Sequence, residues 1–200
     1  SRAQGVDIRK VGSGNIGATN VFRCVGKSWG LLTFFLDALK GFLPAFLFPA
    51  LAFYFAPSAN SDALRVLGGA LAIVGHNWPV YIGFKGGKGV ATSAGAVLGI
   101  AWLPITVGLA AWIVIFLLSR YVSVASILAA VCVGACAWLL PRQGGLLIPV
   151  ALTALAILAI WRHKGNIQRL LKGTENRFDF KKRQKPDPAA PAAKPGPEAP

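Results

Sequence analysis

Of 200 residues, 54% are hydrophobic and only 14% charged, well short of the roughly one-quarter charged residues of soluble domains. The net charge is nevertheless +14, from 21 Lys+Arg against 7 Asp+Glu, and the mean hydropathy is +0.57. A water-soluble globule and a disordered nucleic-acid-binding chain are both excluded. What fits is an all-α, polytopic integral membrane bundle whose basic loops favour the cytoplasmic face, anionic headgroups and anionic substrates.

Residues 1–10 are polar and basic with no apolar core, so they are no signal peptide. The chain has no methionine, so the natural start is expected upstream of Ser1 or removed by processing. Residues 11–23 (VGSGNIGATNVFR) place Gly12, Gly14 and Gly17 in GxGxxG spacing. A dinucleotide fingerprint needs a preceding strand and a βαβ unit, whereas this pattern is followed by an apolar segment of membrane-spanning length and is not expected to bind a dinucleotide. The loop instead offers backbone N–H groups to an oxyanion, with Ser13, Asn15, Thr19 and Asn20 as neutral partners and Arg23 as a fork suited to phosphate.

Residues 29–57 and 63–81 each exceed the roughly 20 residues that cross a bilayer core or come close to it. Asp37 and Lys40, three apart in the first, are expected to pair. His76, just before Asn77-Trp78-Pro79, reads as helix-ending and structural. The loop that follows, GFKGGKG, resembles a Walker A loop but has one residue too few, and Gly89 replaces its Ser/Thr. Four glycines within residues 83–89, with Lys85 and Lys88 among them, still open onto a helix starting near Val90, and a helix N-terminus favours anions. Lys85, Gly86, Gly87, Lys88 and Gly89 are therefore candidate phosphate ligands.

Residues 90–119 are interrupted by Pro104, giving two pieces of about 14 residues, short for full crossings. Arg120–Ser123 forms a small polar element. Residues 121–140 and 146–161 complete the apolar segments, with Cys132 and Cys136 one turn apart and expected to pack as small hydrophobes. Residues 162–177 (RHKGNIQRLLKGTENR) place His163 and Asn166 on one helical face, followed by Arg169, Glu175 and Arg177. Residues 1–180 are expected to form one membrane domain. Residues 181–200, rich in Pro, Ala and Lys, are expected to be a disordered cytoplasmic tail.

The basic clusters before residue 29, at Lys85 and Lys88, and after residue 161 all belong in the cytoplasm by the positive-inside rule. An even number of crossings must then separate Lys88 from Arg162. Splitting residues 90–119 at Pro104 satisfies this and gives about six membrane segments, the short pair either crossing or re-entrant, with the N-terminus inside.

GSGNIGATN, GHNWPVYIGFKGGKGVAT and HKGNIQRLLKGTENR, in this order and separated by apolar segments, closely resemble the bacterial acyl-phosphate:glycerol-3-phosphate acyltransferases. The match runs from about Val6 to Arg177. The resemblance implies seven membrane helices, of which six are legible here and the N-terminal one is not, in keeping with the missing methionine. It implies a bacterial inner-membrane enzyme of phospholipid synthesis with its active site on the cytoplasmic side. Such an enzyme moves a fatty acyl group from acyl phosphate to the 1-hydroxyl of glycerol 3-phosphate, giving lysophosphatidic acid and phosphate. Its partners would be these two substrates, the lipid bilayer and the enzyme that supplies acyl phosphate. Ser13, Arg23, Lys88, His163 and Asn166 would belong to the active site.

Acyl phosphate is a mixed anhydride whose leaving group needs little protonation, so positioning, charge neutralisation and removal of the hydroxyl proton remain. Arg23 and Lys88 suit the substrate phosphates, aided by loop N–H groups. Ser13 and Asn166 suit the hydroxyl or the oxyanion, and His163 is the available general base, with a substrate phosphate oxygen as the alternative. The H-x4-D motif of thioester-using acyltransferases is absent, because Tyr81 and Gln168 stand where the Asp would be. No zinc-ligand spacing occurs, and neither metal nor cofactor is expected. A phosphate or organophosphate transporter would share the basic glycine-rich loops but should hold its site near the midplane. A lipid-binding scaffold would explain the charge but not the glycines.

Overall fold

The computed structural model describes residues 5–55, 57–139 and 145–178. The expected tail over residues 181–200 and most of the turn at residues 141–145 lie outside them. The described residues form eight α-helices and no strand: α1 (Ala18–Cys24), α2 (Lys27–Phe55), α3 (Ser61–Asn77), α4 (Val90–Ile100), α5 (Trp102–Ser119), α6 (Val122–Leu139), α7 (Leu147–Arg162) and α8 (Lys164–Leu171). α2 to α7 coincide with the six apolar segments. Of these, α2, α5 and α6 are long and apolar enough to span a bilayer by themselves. α7 and α8 form a pair bent by 53° at His163. α4, with 11 residues, rises only about 16 Å, roughly half a hydrocarbon core.

The break expected at Pro104 lies instead at Ala101, whose extended backbone (φ −153°, ψ 101°) separates α4 from α5. Pro104 sits in the first turn of α5, where backbone N–H groups have no intrahelical acceptor, so its ring breaks no helical hydrogen bond. The two pieces are accordingly 11 and 18 residues long rather than equal.

Lipid and helix surfaces are equally apolar, so membrane helices associate through small residues that let backbones approach. A Cβ on Gly41 of α2 would run into the Thr92 carbonyl of α4, and one on Gly95 of α4 into the Ala38 carbonyl of α2. α3 meets α2 where Gly68 lies against the Pro44 carbonyl. α5, α6 and α7 pack in chain order, and Val97, Val133, Ala137 and Leu152 form a seam joining α4, α6 and α7. Large apolar side chains such as Leu31, Phe35, Phe53, Leu117 and Ile157 face outward, an arrangement that only lipid tolerates over so wide an area.

Charges within the bundle are matched locally. Lys40 Nζ lies 2.6 Å from Asp37 Oδ1 as the spacing suggests, and His76 Nδ1 is 3.6 Å from the same oxygen. Arg65, on the side opposite the basic loops, donates to the Gly99 carbonyl at 2.8 Å, satisfying an orphan acceptor at the C-terminal end of α4. Cys132 and Cys136 both lie on α6 and are unbridged.

Candidate active site

Asn20, 2% exposed, organises the first loop. Its Nδ2 donates to the carbonyls of Ile8 (3.1 Å), Val11 (3.1 Å) and Asn15 (2.9 Å), while its Oδ1 accepts from Ser13 N at 2.9 Å. Gly12 has φ +59°, and Asn20 and Cys24 fill the space a Cβ would need. Asn15 Oδ1 accepts from Gly17 N at 2.9 Å, an Asx turn leading into α1. The N–H of Gly14 bonds the Val11 carbonyl and that of Asn20 bonds the Gly17 carbonyl.

These bonds correct the expectation for this loop. The N–H groups of Ser13, Gly14, Gly17 and Asn20 are engaged internally, so they form no open cradle for an oxyanion. The Asn15 amide oxygen and the Asn20 side chain hold the loop itself. What the loop displays is Ser13, which is exposed, with Thr19 half-buried on α1. Arg23 lies on the same helix, three residues beyond the clasp. Burial lowers the Arg23 pKa, and its Nη2 reaches the Asn176 carbonyl at 3.5 Å.

The second loop folds back on the end of α3. Gly86 N donates to the Asn77 carbonyl at 3.2 Å and Gly87 N to the His76 carbonyl at 3.3 Å. A Cβ on Gly87 would overlap the His76 imidazole, and Gly89, with φ +75°, precedes α4. Two of the glycine N–H groups are thus also committed within the protein. Lys85 is exposed, whereas Lys88 Nζ donates to Asn166 Oδ1.

The α7–α8 corner supplies the rest. His163 is 2% exposed, and its Nδ1 lies 2.7 Å from the Ala159 carbonyl. A carbonyl only accepts, so Nδ1 carries the proton and Nε2 is left as the acceptor. Asn166 Nδ2 donates to Glu175 Oε1 at 2.6 Å. The same carboxylate accepts from Ser123 Oγ at 2.9 Å and from Arg169 Nε at 2.7 Å. Burial opposes its ionisation, but the hydrogen bonds from Asn166, Arg169 and Ser123 prevail and hold Glu175 below the ordinary glutamate range.

The electrostatics follow from this crowding. Burial pushes the Lys88 ammonium down to about 8, with Arg169, Arg23 and Arg162 adding repulsion that Glu175 opposes. Burial likewise pushes His163 down to about 4, helped by Lys88 and Arg162 against the Ala159 carbonyl and Glu175. The imidazole is therefore neutral at physiological pH. Cations outnumber the carboxylate around Lys88, which suits a dianionic ligand.

The structure brings Arg23, Lys88, His163 and Asn166 to one end of the bundle. Ser123, Glu175 and Arg162 join them, although the sequence assigns none of the three to the site. Glu175 lies within the third basic cluster and Ser123 within the short polar element at residues 120–123, but nothing in the sequence pairs residues 52 positions apart. Among the described residues no group of three His, Cys, Asp or Glu is placed to hold a metal ion.

A family model described as glycerol-3-phosphate acyltransferase matches residues 1–173. The glycerol-3-phosphate acyltransferase of Aquifex aeolicus (strain VF5) is 44% identical over 181 residues, covering 89% of this chain and 88% of the relative. That of Desulforamulus reducens is 44% identical over 180 residues, covering 90% and 85%. The crystal structure of PlsY, an integral membrane glycerol 3-phosphate acyltransferase, in its glycerol 3-phosphate form superposes with a TM-score of 0.79 at 41% identity, covering 89% of this chain and 85% of that one. Its lysophosphatidic acid form gives 0.73 at 40% identity, covering 84% and 81%. Matched by the family model over residues 1–173 and 44% identical to such relatives over most of its length, this chain belongs to the glycerol-3-phosphate acyltransferase family.

Proposed function

We propose that this protein transfers a fatty acyl group from acyl phosphate to the 1-hydroxyl of glycerol 3-phosphate, releasing lysophosphatidic acid and inorganic phosphate. The observation that carries the chemistry is the joining of Lys88, Asn166 and Glu175 beside a buried, neutral His163. Family membership supports acyl transfer over transport, and PlsY structures in glycerol 3-phosphate and lysophosphatidic acid forms support this acceptor and product.

Lys88 and Arg23 neutralise the two substrate phosphates, with Arg169 and Arg162 adding to the positive field. Ser13 and Asn166 orient the hydroxyl or the developing oxyanion. The hydroxyl oxygen attacks the acyl carbon, the bond from that carbon to the bridging oxygen breaks, and phosphate departs. A histidine near 4 is a weak base at neutral pH, whereas general-base catalysis works best with a pKa near the operating pH. We therefore assign the proton to a substrate phosphate oxygen, glycerol 3-phosphate being a phosphate ester with a second pKa of about 6. His163 Nε2 accepts a hydrogen bond from the neighbouring 2-hydroxyl of glycerol 3-phosphate and so directs the 1-hydroxyl, whose own hydrogen points to the phosphate oxygen. The anhydride itself supplies the driving force, so no cofactor takes part.

The polar end faces the cytoplasm of a bacterial inner membrane, on the positive-inside argument. The donor assignment is tested with full-length protein in proteoliposomes, offered acyl phosphate, acyl-CoA and acyl carrier protein in turn with labelled glycerol 3-phosphate. Labelled lysophosphatidic acid should form with acyl phosphate. Turnover with a thioester while acyl phosphate is inert would defeat the assignment.

A further inference from the structure

We propose that Arg162 is a positioning residue of the reaction: it clamps the glycine-rich loop so that Lys88 is delivered to the substrate phosphate in register with His163. The inference rests on the assignment of Lys88 to phosphate given above.

Arg162 is the last residue of α7. Its Nη2 donates to the Gly87 carbonyl at 2.5 Å and approaches the Gly86 carbonyl at 3.4 Å. The N–H groups of the same two glycines are held by the His76 and Asn77 carbonyls of α3. The backbone just before Lys88 is thus gripped through its donors from one helix and through its acceptors from another. The guanidinium also lies over the Trp78 ring, 5.2 Å from its centroid, and Trp78 packs on Trp161 at 6.0 Å. Its own position is therefore fixed by the same two helix ends.

The geometry explains why the clamp bears on catalysis. A lysine side chain has a flexible four-carbon stem, so where its ammonium arrives depends on how firmly its Cα is held. Asn166, one helical turn beyond Arg162, takes the Lys88 ammonium at its tip. One corner of the chain therefore holds the root and the tip of the same lysine, and that corner also carries His163. A planar guanidinium can face two carbonyls while stacking on an indole. An ammonium offers the charge without the plane, so lysine is an incomplete substitute. The glycines fit the same picture, since a Cβ on Gly86 or Gly87 would collide with the residues that receive the loop.

The test is a double-mutant cycle on full-length protein in proteoliposomes. Arg162→Ala and Arg162→Lys are each made in the wild-type and Lys88→Ala backgrounds, with melting temperature followed alongside turnover. Misplacement of a catalytic group by about an ångström can cost 10²-fold, so Arg162→Ala should lower kcat/KM for glycerol 3-phosphate by roughly that factor, with Arg162→Lys intermediate. In the Lys88→Ala background the same change should cost less than about threefold, because residues acting as one unit are non-additive. A loss of similar size in both backgrounds would overturn the clamp while leaving the phosphate assignment intact. Full activity in Lys88→Ala alone would remove that assignment and the clamp with it. If Arg162→Ala fails to fold, Arg162→Lys and Arg162→Gln carry the same cycle, and additive losses overturn the clamp equally.

Discussion

Asn166 takes the Lys88 ammonium on its amide oxygen and gives its amide nitrogen to Glu175 at 2.6 Å. The amide can make both bonds in only one orientation, since its oxygen must accept and its nitrogen must donate. Glu175, fixed in turn by Ser123 and Arg169, thereby sets the direction in which Lys88 is presented. Asn166→Ala should cut kcat/KM by about 10²-fold while the protein still folds, as expected when a charged group loses its alignment. Steady-state kinetics with a melting curve checks this, and unchanged kinetics would detach Asn166 from the site.

Lys88 gives the activity a basic limb. Its folded value of about 8 lies below the ordinary 10.5, so kcat/KM in the free enzyme should fall as pH rises through about 8. Lys88→Arg, whose guanidinium stays charged throughout, should remove that limb even where turnover is reduced. The linkage sign is also fixed: between about 8 and 10.5 the unfolded chain binds more protons than the folded one, so this group's contribution to stability rises with pH across that window. A pH–rate series on both proteins decides it, and an unmoved limb would contradict the role given to Lys88.

His163 should titrate well below the usual histidine range. Between about 4 and 6.5 the unfolded state is the more protonated, so its contribution to stability is lost as pH falls from 6.5 toward 4. His163→Gln should lower turnover by about 10²-fold or more, since loss of a group that orients the nucleophile is that costly. It should leave the acidic limb near the phosphate second pKa of about 6 in place. A wild-type limb that vanishes in His163→Gln would instead make the imidazole the base.

Asn20 is predicted to act through the loop alone. Asn20→Ala removes the side-chain hydrogen bonds to Ser13, Ile8, Val11 and Asn15 and takes the partner from the buried Ile8 carbonyl, at a cost of about 1–3 kcal/mol. The melting temperature should fall together with activity. A raised KM for glycerol 3-phosphate at unchanged melting temperature would show that Asn20 touches substrate after all.

The apolar segments were legible because lipid imposes length and composition on the residues that face it, and the Asp37–Lys40 pair because helical spacing is short-range. The start of α4 at Val90 followed from the glycines before it. Pro104 misled because a proline marks a helix start as readily as a break, and only packing places the interruption at Ala101. The Asn20 clasp was hidden because a GxGxxG pattern does not say whether its N–H groups are already taken. The contacts of Ser123 with Glu175 and of Arg162 with Gly87 join residues 52 and 75 positions apart, distances over which local pattern carries no information. Burial also decided the protonation of His163, and residue type alone does not contain it.

The central claim is acyl transfer from a phosphate anhydride to glycerol 3-phosphate, and it is tested most directly with acyl phosphate carrying heavy oxygen in the bridge between carbonyl carbon and phosphorus. Attack at the acyl carbon sends that oxygen away with phosphate, so mass spectrometry should find the label in inorganic phosphate and none in lysophosphatidic acid. Label retained in free fatty acid, with a second phosphate on the glycerol product, would mean phosphoryl transfer and would contradict the account.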